Sequence, residues 1–158
     1  VYSFNGNTTA FVEMEDGINE YGLAIGLTFI YPKIINIGLN AGMIVRYLLE
    51  KCKTTDEAIE NLKTLPIASQ QTLTIADSTG NIVIVECNSK DIEVIKPNED
   101  GNFVTIANEF NSQSMRKYNN YNIDNWKAKE RYEVAYNSLK RNKNNFSIEL
   151  VKEVLSGK

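Results

Sequence analysis

The stretch Asp16-Gly17-Ile18-Asn19-Glu20-Tyr21-Gly22-Leu23, followed by Ala24-Ile25-Gly26-Leu27-Thr28-Phe29, decides the fold of this chain. Asp-Gly and Gly22 accept positive φ angles at little cost, and the flanking segments are apolar, so the pattern predicts a β-hairpin. Side chains alternate along a strand, which places the large residues on the core face: Leu23, Ile25, Leu27 and Phe29. The opposite face of the second strand carries only small residues: Ala24, Gly26 and Thr28.

This small face has two interpretations. Glycine within a strand often marks the close approach of a ligand or of a second backbone, so Ala24 and Gly26 are candidate substrate-binding residues. The same residues could instead let two structural layers pack tightly, without any ligand. We expect Gly26 to be a position where a larger side chain would be overpacked.

The remaining pattern mixes strands and helices. Apolar spacing predicts helices at 40–52, 54–65, 124–141 and 147–155, the second of them opening with the capping box Thr54-x-x-Glu57. Strands are predicted at 11–15, 72–77, 82–87, 92–95 and 103–108, with a loop in the Asn-rich stretch 111–125. Hairpins grouped between pairs of helices indicate an α+β fold rather than an alternating parallel sheet.

Length and charge limit the classes of function. The chain of 158 residues is sized as a single domain, 1–158, or a large part of one. A net charge of -3 and a pI near 5.1 argue against a nucleic-acid partner. No apolar run approaches the roughly 20 residues that span a bilayer, so we expect no membrane partner.

Histidine is absent from the sequence, which excludes a Ser-His-Asp or Cys-His pair and a histidine-containing zinc site within these residues. We therefore predict no metal and no cofactor. Cys52 and Cys87 lie in apolar segments without paired spacing, so both are predicted to be structural thiols of a reducing, cytoplasmic compartment.

Several motifs together resemble the linear-amide hydrolases of the N-terminal-nucleophile superfamily, which includes choloylglycine hydrolases, penicillin V acylases and acyl-coenzyme A:isopenicillin N acyltransferases. Besides the opening stretch, the resemblance rests on Ile44-Val45-Arg46-Tyr47-Leu48-Leu49-Glu50, Thr55-Asp56-Glu57-Ala58-Ile59, Leu65-Pro66-Ile67-Ala68-Ser69, Asp77-Ser78-Thr79-Gly80-Asn81, Val83-Ile84-Val85-Glu86 and Ala107-Asn108-Glu109-Phe110. It implies a four-layer αββα sandwich, here expected to be incomplete at its N-terminus.

The resemblance also implies what this chain lacks. Members of the family begin, after autoproteolysis, with a cysteine that attacks the amide and uses its own amine as base, followed by a Gly-Arg-Asn-x-Asp-like stretch. Neither feature occurs here, and the chain starts at Val1. We therefore expect an internal part of a longer bacterial protein, downstream of its nucleophile.

Three residues are candidate catalytic residues by this resemblance. Asn108 matches an Asn that helps hold the oxyanion, although its flanks Ala107 and Glu109 depart from the family's Thr-Asn-His-like motif. Arg131 matches an Arg that approaches the nucleophilic sulfur and favours its thiolate. Thr28 stands where the choloylglycine branch tends to carry an oxyanion-hole Asn, and its backbone N–H could serve instead. From sequence alone, Asn108 could also simply close a strand and Arg131 could be solvated.

Three other polar residues have expected structural roles. Glu86 ends an apolar row and is predicted to pair with Arg46 or with the absent Arg. Asn19 and Glu20 are predicted to stabilise the turn by satisfying free backbone donors.

The predicted function is that of a cysteine amide hydrolase or acyltransferase acting on a small-molecule amide or acyl substrate through a thioester. The rival hypothesis is a non-catalytic binding or scaffolding domain that keeps the fold. The sequence distinguishes neither the substrate nor hydrolysis from acyl transfer, and it leaves a homo-oligomer open.

Overall fold

The computed structural model describes residues 1–98 and 102–156. Its strands are β1 (Phe4–Asn7), β2 (Asp16–Asn19), β3 (Ala24–Phe29), β4 (Gln71–Ala76), β5 (Ile82–Cys87) and β6 (Ile92–Ile95). Its α-helices are α1 (Ala41–Lys51), α2 (Thr55–Leu62), α3 (Ala128–Arg141) and α4 (Ile148–Ser156), with a 3-10 turn at Arg116–Tyr118. The α+β class predicted from the sequence is confirmed.

The six strands form one antiparallel sheet in the order β1-β2-β3-β4-β5-β6, so each strand pairs with its neighbour in sequence. Such a meander needs only short connections, except where α1 and α2 lie between β3 and β4. The sheet thereby becomes a continuous platform on which β3 and β4 are central.

The core lies between one face of this sheet and the pair α1 and α2. Its buried side chains include Leu23, Ile25, Leu73, Ile75 and Val85 from the sheet, and Ile44, Leu48, Ala58 and Leu62 from the helices. Both helices begin as predicted, because the side chains of Asn40 and Thr54 accept hydrogen bonds from the amides of Met43 and Glu57.

The β2–β3 hairpin exists, but its turn differs from the prediction. Asp16 and Gly17 lie within β2, and residues 11–15 form no strand. Gly22, with φ of 82°, supplies the left-handed residue of the turn. Asn19 stabilises this turn as predicted, since its Oδ1 accepts hydrogen bonds from the amides of Tyr21 and Leu23. The Glu20 carboxylate accepts a hydrogen bond from the Ser3 amide instead.

The close approach predicted at Gly26 occurs at Gly17. A Cβ on Gly17 would lie 2.8 Å from Leu49 Cδ1 and 2.9 Å from the Asn5 carbonyl oxygen, so a larger residue would require the Leu49 side chain and the β1 backbone to shift. A Cβ on Gly26 would meet nothing within 4 Å. The expectation of overpacking at Gly26 is therefore wrong for the described residues, because that face of β3 is open.

Two further expectations are corrected. Residues 103–106 form no strand, and only the isolated bridge between Ala107 and Glu109 remains of the predicted strand. Phe29 is 47% exposed rather than in the core, because it stands at the end of β3, beyond the helices.

The second face of the sheet is only partly covered. It is open around Ile18, Ala24 and Gly26, whereas Thr72 and Glu86 of the same face are fully buried. Among the described residues, no helix is long and apolar enough to cross a membrane.

Candidate active site

Asn108 and Arg131, which are 23 positions apart in the sequence, are in direct contact. Arg131 Nη2 donates a 2.7 Å hydrogen bond to Asn108 Oδ1, and Asn108 Nδ2 donates a 2.8 Å bond to the Phe29 carbonyl. Since a guanidinium can only donate, this contact fixes the amide with its oxygen toward Arg131. One hydrogen of the Asn108 Nδ2 group is then still available to another acceptor.

The end of β3 explains why Asn108 binds there. Strand β2 pairs with β3 only from Ala24 to Gly26, and the last backbone bond on that side runs from the Leu27 amide to the Glu15 carbonyl. Backbone groups alternate in direction along a strand, so the Phe29 carbonyl points to the side that β2 has left. The Asn108 side chain satisfies it.

Arg131 is held by the segment that precedes α3. Its Nε donates a 2.7 Å bond to the Trp126 carbonyl, and its Nη2 also lies 3.3 Å from the Asn125 carbonyl. Trp126 and Lys127 adopt left-handed backbone conformations, with φ of 55° and 54°. This uncommon pair bends the chain so that its carbonyl meets the guanidinium.

The guanidinium of Arg131 has hydrogen bonds to neutral groups only. Within the described part of the chain it forms no salt bridge. Its positive charge is therefore not neutralised by a neighbouring carboxylate. Such a group can stabilise an anion placed beside Asn108.

Thr28 lies on the predicted small face, opposite Thr72 of β4. The same alternation that turns the Phe29 carbonyl toward Asn108 directs the backbone N–H of Thr28 toward β4. Thr28 therefore offers its hydroxyl, rather than its N–H, to the open face. Its neighbour Phe29 carries the carbonyl that anchors Asn108.

Ala24 and Gly26 line an open groove of about 630 Å³ on the same face. The groove also includes Asp16, Ile18 and Thr74. Along β3, Gly26 is two residues from Thr28, about 7 Å away. The groove therefore approaches the Asn108 end of β3 without including Asn108.

Glu86 is not paired with Arg46, contrary to the prediction. Arg46 binds Glu50 and the Val12 carbonyl. The Glu86 carboxylate is fully buried and accepts hydrogen bonds from the Asn111 amide (2.5 Å), the Ser112 amide (3.1 Å) and Ser112 Oγ (2.6 Å). Burial raises the pKa of Glu86 above its ordinary value, and these three donors oppose that shift.

Cys52 and Cys87 are both fully buried, in agreement with their predicted structural role. Burial raises the pKa of the Cys52 thiol to about 11 and that of Cys87 to about 12. A thiol in this state is protonated and shielded, so neither residue is suited to act as a nucleophile.

An aromatic cluster lies beside Asn108 and Arg131 and was not predicted from the sequence. Tyr31 stacks on Trp126 with ring centroids 5.2 Å apart, and Phe29 meets Tyr31 edge to face at 5.1 Å. Phe29 and Trp126 are each 47% exposed. The sequence does contain one signal for this cluster, the two aromatic residues Phe29 and Tyr31. Side-chain alternation along the strand, however, predicted that Phe29 lies in the core.

Among the described residues, no cluster of three or more His, Cys, Asp or Glu side chains is placed to hold a metal ion. The polar side-chain groups that meet at the end of β3 are the Asn108 amide and the Arg131 guanidinium, and Thr28 is the strand residue next to Phe29. These groups can bind and stabilise an anion or an oxyanion.

This sheet, with its α1–α2 layer, has the fold of the N-terminal-nucleophile hydrolases, the superfamily that includes the choloylglycine hydrolases. The chain belongs to the acyl-coenzyme A:6-aminopenicillanic acid acyl-transferase family, whose model matches residues 1–157. No curated protein sequence matches it significantly.

Solved structures show the same fold. An N-acylethanolamine-hydrolyzing acid amidase ortholog from Caenorhabditis elegans is 19% identical, with a TM-score of 0.66, over 97% of this chain and 67% of that one. A variant of conjugated bile acid hydrolase from Clostridium perfringens is 16% identical, with a TM-score of 0.60, over 98% of this chain. Penicillin V acylase from Agrobacterium tumefaciens is 16% identical, with a TM-score of 0.55, over 92% of this chain. The chain spans 63% of the bile acid hydrolase and 51% of the acylase.

Proposed function

We propose that this chain supports acyl transfer from a linear C–N amide to a cysteine thiolate that lies outside residues 1–158. The observation that carries this proposal is the Arg131–Asn108–Phe29 network at the end of β3. The location of the nucleophile is supported by the burial of both thiols of the chain, whose pKa values are raised to about 11 and about 12.

In the proposed reaction, the thiolate attacks the amide carbonyl and the carbonyl oxygen becomes an oxyanion. Asn108 Nδ2 donates its second hydrogen to this oxygen, while Arg131 keeps the amide oriented and favours the thiolate form of the cysteine. The oxyanion then collapses and the C–N bond breaks. The departing nitrogen takes the proton that the cysteine's own α-amine had removed from the thiol, which leaves a free amine and a thioester. Water or a second amine resolves the thioester, so the same groups serve hydrolysis or transfer.

Thr28, Ala24 and Gly26 are proposed to form the substrate side of the site. The hydroxyl of Thr28 would contact the reacting group, and the open row of Ala24 and Gly26 would accommodate the remainder of the substrate. A substrate on this row needs no side chain to move, because a Cβ at Gly26 would meet nothing within 4 Å. Residues 1–158 as one domain, a cytoplasmic location and a homo-oligomer stay predictions.

The family and the solved structures with this fold include acyl-transferases and amide hydrolases, which supports amide hydrolysis or acyl transfer as the class of reaction. The substrates named for these relatives are those of the relatives themselves. For this chain, the proposal is limited to a small-molecule amide or acyl donor. The non-catalytic hypothesis predicts instead that the network at β3 can be broken without loss of turnover.

The test uses the complete protein that contains this chain, with turnover of an N-acyl amide as the readout. Asn108→Ala should lower kcat by about a hundredfold or more with little change in KM, because it removes an oxyanion donor. Asn137→Ala is the matched control, since Asn137 is an exposed asparagine of α3. Full kcat in Asn108→Ala would refute the oxyanion role.

The proposed role of Arg131 is tested separately, by the pH dependence of cysteine alkylation. Arg131→Leu should raise the pH at which the catalytic cysteine is alkylated by iodoacetamide, because the thiolate loses a neighbouring positive charge. Arg141→Leu on the same helix is the control, since Arg141 is exposed and its Nε binds the Asn137 carbonyl. An unchanged alkylation profile in Arg131→Leu would exclude contact with the thiolate.

A further inference from the structure

A buried carboxylate, that of Glu86, lies beneath residues 103–112, the segment that carries Asn108. Glu86 is fully buried on the second face of the sheet, where the strand register aligns it with Thr72 and Thr28 in one row. Strands are about 4.8 Å apart, so Glu86 lies about 10 Å from Thr28 across the sheet. The reaction proposed above assigns no step to Glu86.

The Glu86 carboxylate depends on the segment above it. Within the described part of the chain it forms no salt bridge, so its burial is offset by hydrogen bonds rather than by a cation. Three donors from two adjacent residues supply these bonds, namely the amides of Asn111 and Ser112 and the Ser112 hydroxyl. Removing donors from a buried carboxylate is costly, so this attachment holds the segment strongly to β5.

The segment has little other regular structure to hold it. Residues 103–106 are not in a strand, and a single bridge joins Ala107 to Glu109. Besides Glu86, two attachments lie close to Asn108. The Glu109 carboxylate accepts a 3.2 Å bond from Asn125 Nδ2, and the amide and carbonyl of Phe110 both bind the Asn119 side chain. Asn108 is therefore fixed from one side by Phe110 and Glu86, and from the other by Arg131.

We propose that Glu86 is a positioning residue, which clamps Asn111 and Ser112 so that the Asn108 amide meets both the Phe29 carbonyl and Arg131. This inference rests on the proposed function only for its effect on turnover, since the clamp itself is a property of the chain. A merely structural carboxylate would affect stability but leave the geometry of Asn108 and Arg131 unchanged in a folded variant. In a variant that still folds, a positioning role therefore predicts altered geometry of Asn108 and Arg131, whereas a purely structural role predicts unchanged geometry.

The test substitutes Glu86→Gln, which keeps the shape but replaces one acceptor oxygen by an amide donor that faces the segment's own donors. Glu93→Gln is the matched control, because Glu93 is the cross-strand neighbour of Glu86 and its carboxylate accepts a bond from the Ser114 side chain. Trp126 is the single tryptophan of the chain, and its carbonyl binds Arg131. Its fluorescence therefore reports on this site in the 158-residue chain.

We expect Glu86→Gln to shift the emission of Trp126 and to raise its quenching by acrylamide, at unchanged far-UV circular dichroism. Glu93→Gln should match the wild type in both readouts. If Glu86→Gln does not fold, Ser112→Ala is the deciding variant. It removes the 2.6 Å hydroxyl bond to Glu86, together with a 3.4 Å contact to Ser114 Oγ, and should give a smaller shift in the same direction. Wild-type fluorescence in folded Glu86→Gln, or in Ser112→Ala where Glu86→Gln is unfolded, would overturn the proposal.

The complete protein separates this inference from the proposed function. Glu86→Gln should lower kcat by about tenfold to a hundredfold, the cost of a misplaced catalytic group, with little change in KM. If Asn108→Ala lowers kcat but Glu86→Gln changes neither kcat nor fluorescence, the clamp is wrong and the proposed function stands. If Glu86→Gln shifts the fluorescence while neither variant lowers kcat, the clamp stands and the proposed function is wrong.

Discussion

The carboxylate of Asp77 joins a helix to a hairpin, and its removal gives a prediction with a calculable size. Asp77 is 8% exposed and accepts hydrogen bonds from the amide and hydroxyl of Thr55, at 2.9 Å each. It accepts two more from the amide and hydroxyl of Thr79, at 2.9 and 2.5 Å. The first pair fixes the start of α2, and the second pair fixes the β4–β5 turn.

Each bond to a charged acceptor contributes about 1.5–3 kcal/mol, but the four bonds are not additive because Thr79 can bind water instead. We expect Asp77→Ala to lower the free energy of unfolding by about 2–4 kcal/mol. For a chain of this size, that lowers Tm by about 5–15 °C. Asp56→Ala, at an exposed position of α2 away from the turn, should cost about 0.5 kcal/mol.

The pH dependence of this effect has a definite sign. Burial acts to raise the pKa of Asp77, but the four hydrogen bonds outweigh it and hold the pKa below its usual range. A depressed pKa contributes stability above the unfolded value of about 3.9, and this contribution is lost as pH falls toward the folded value. Urea unfolding should therefore separate wild type and Asp77→Ala fully at pH 7 and progressively less below pH 4. An equal difference at pH 7 and pH 3, or none at pH 7, would refute the reasoning.

Two further predictions use the chain alone. Neither Cys52 nor Cys87 should react with iodoacetamide at pH 8 in the folded chain, because burial raises their pKa values to about 11 and about 12; a mass increase without denaturant would contradict this. Gly26→Ala should leave the free energy of unfolding unchanged or raise it by up to about 1 kcal/mol, since its Cβ would enter open space. Gly17→Ala should instead lower it by about 1–3 kcal/mol through contact with Leu49, and equal melting temperatures for the two variants would refute the assignment of the faces.

The helices and most strands could be predicted because local signals determine them. Asn40 and Thr54 begin α1 and α2 at the predicted places, and β5 has the predicted bounds. The turn was misplaced because Gly17 and Gly22 both tolerate a positive φ angle. The structure has the positive φ angle at Gly22, where Asn19 Oδ1 accepts hydrogen bonds from the Tyr21 and Leu23 amides. Gly17 lies instead within β2 against Leu49 of α1, a contact between residues far apart in sequence that no local pattern contains.

Asn108 and Arg131 became candidate site residues through a family resemblance, and their catalytic roles stay predictions. The structure shows that they are in contact although they are 23 positions apart. The partners of Glu86 could not be predicted, because Asn111 and Ser112 belong to a loop without periodicity. The Trp126 carbonyl binds Arg131 where Trp126 and Lys127 both adopt left-handed backbone conformations. Neither residue is a glycine or an asparagine, the types that usually indicate this conformation, so the sequence did not predict it.

A double-mutant cycle tests the central claim most directly, namely that Asn108 and Arg131 act as one unit on the oxyanion that forms when a thiolate attacks the amide carbonyl. The measurement is kcat of the complete protein as wild type, Asn108→Ala, Arg131→Leu and the double variant. Because Arg131 orients the Asn108 amide through the 2.7 Å bond, the double variant should lose much less than the product of the two single losses. Single losses that multiply in the double variant, or a full kcat in both single variants, would contradict the account.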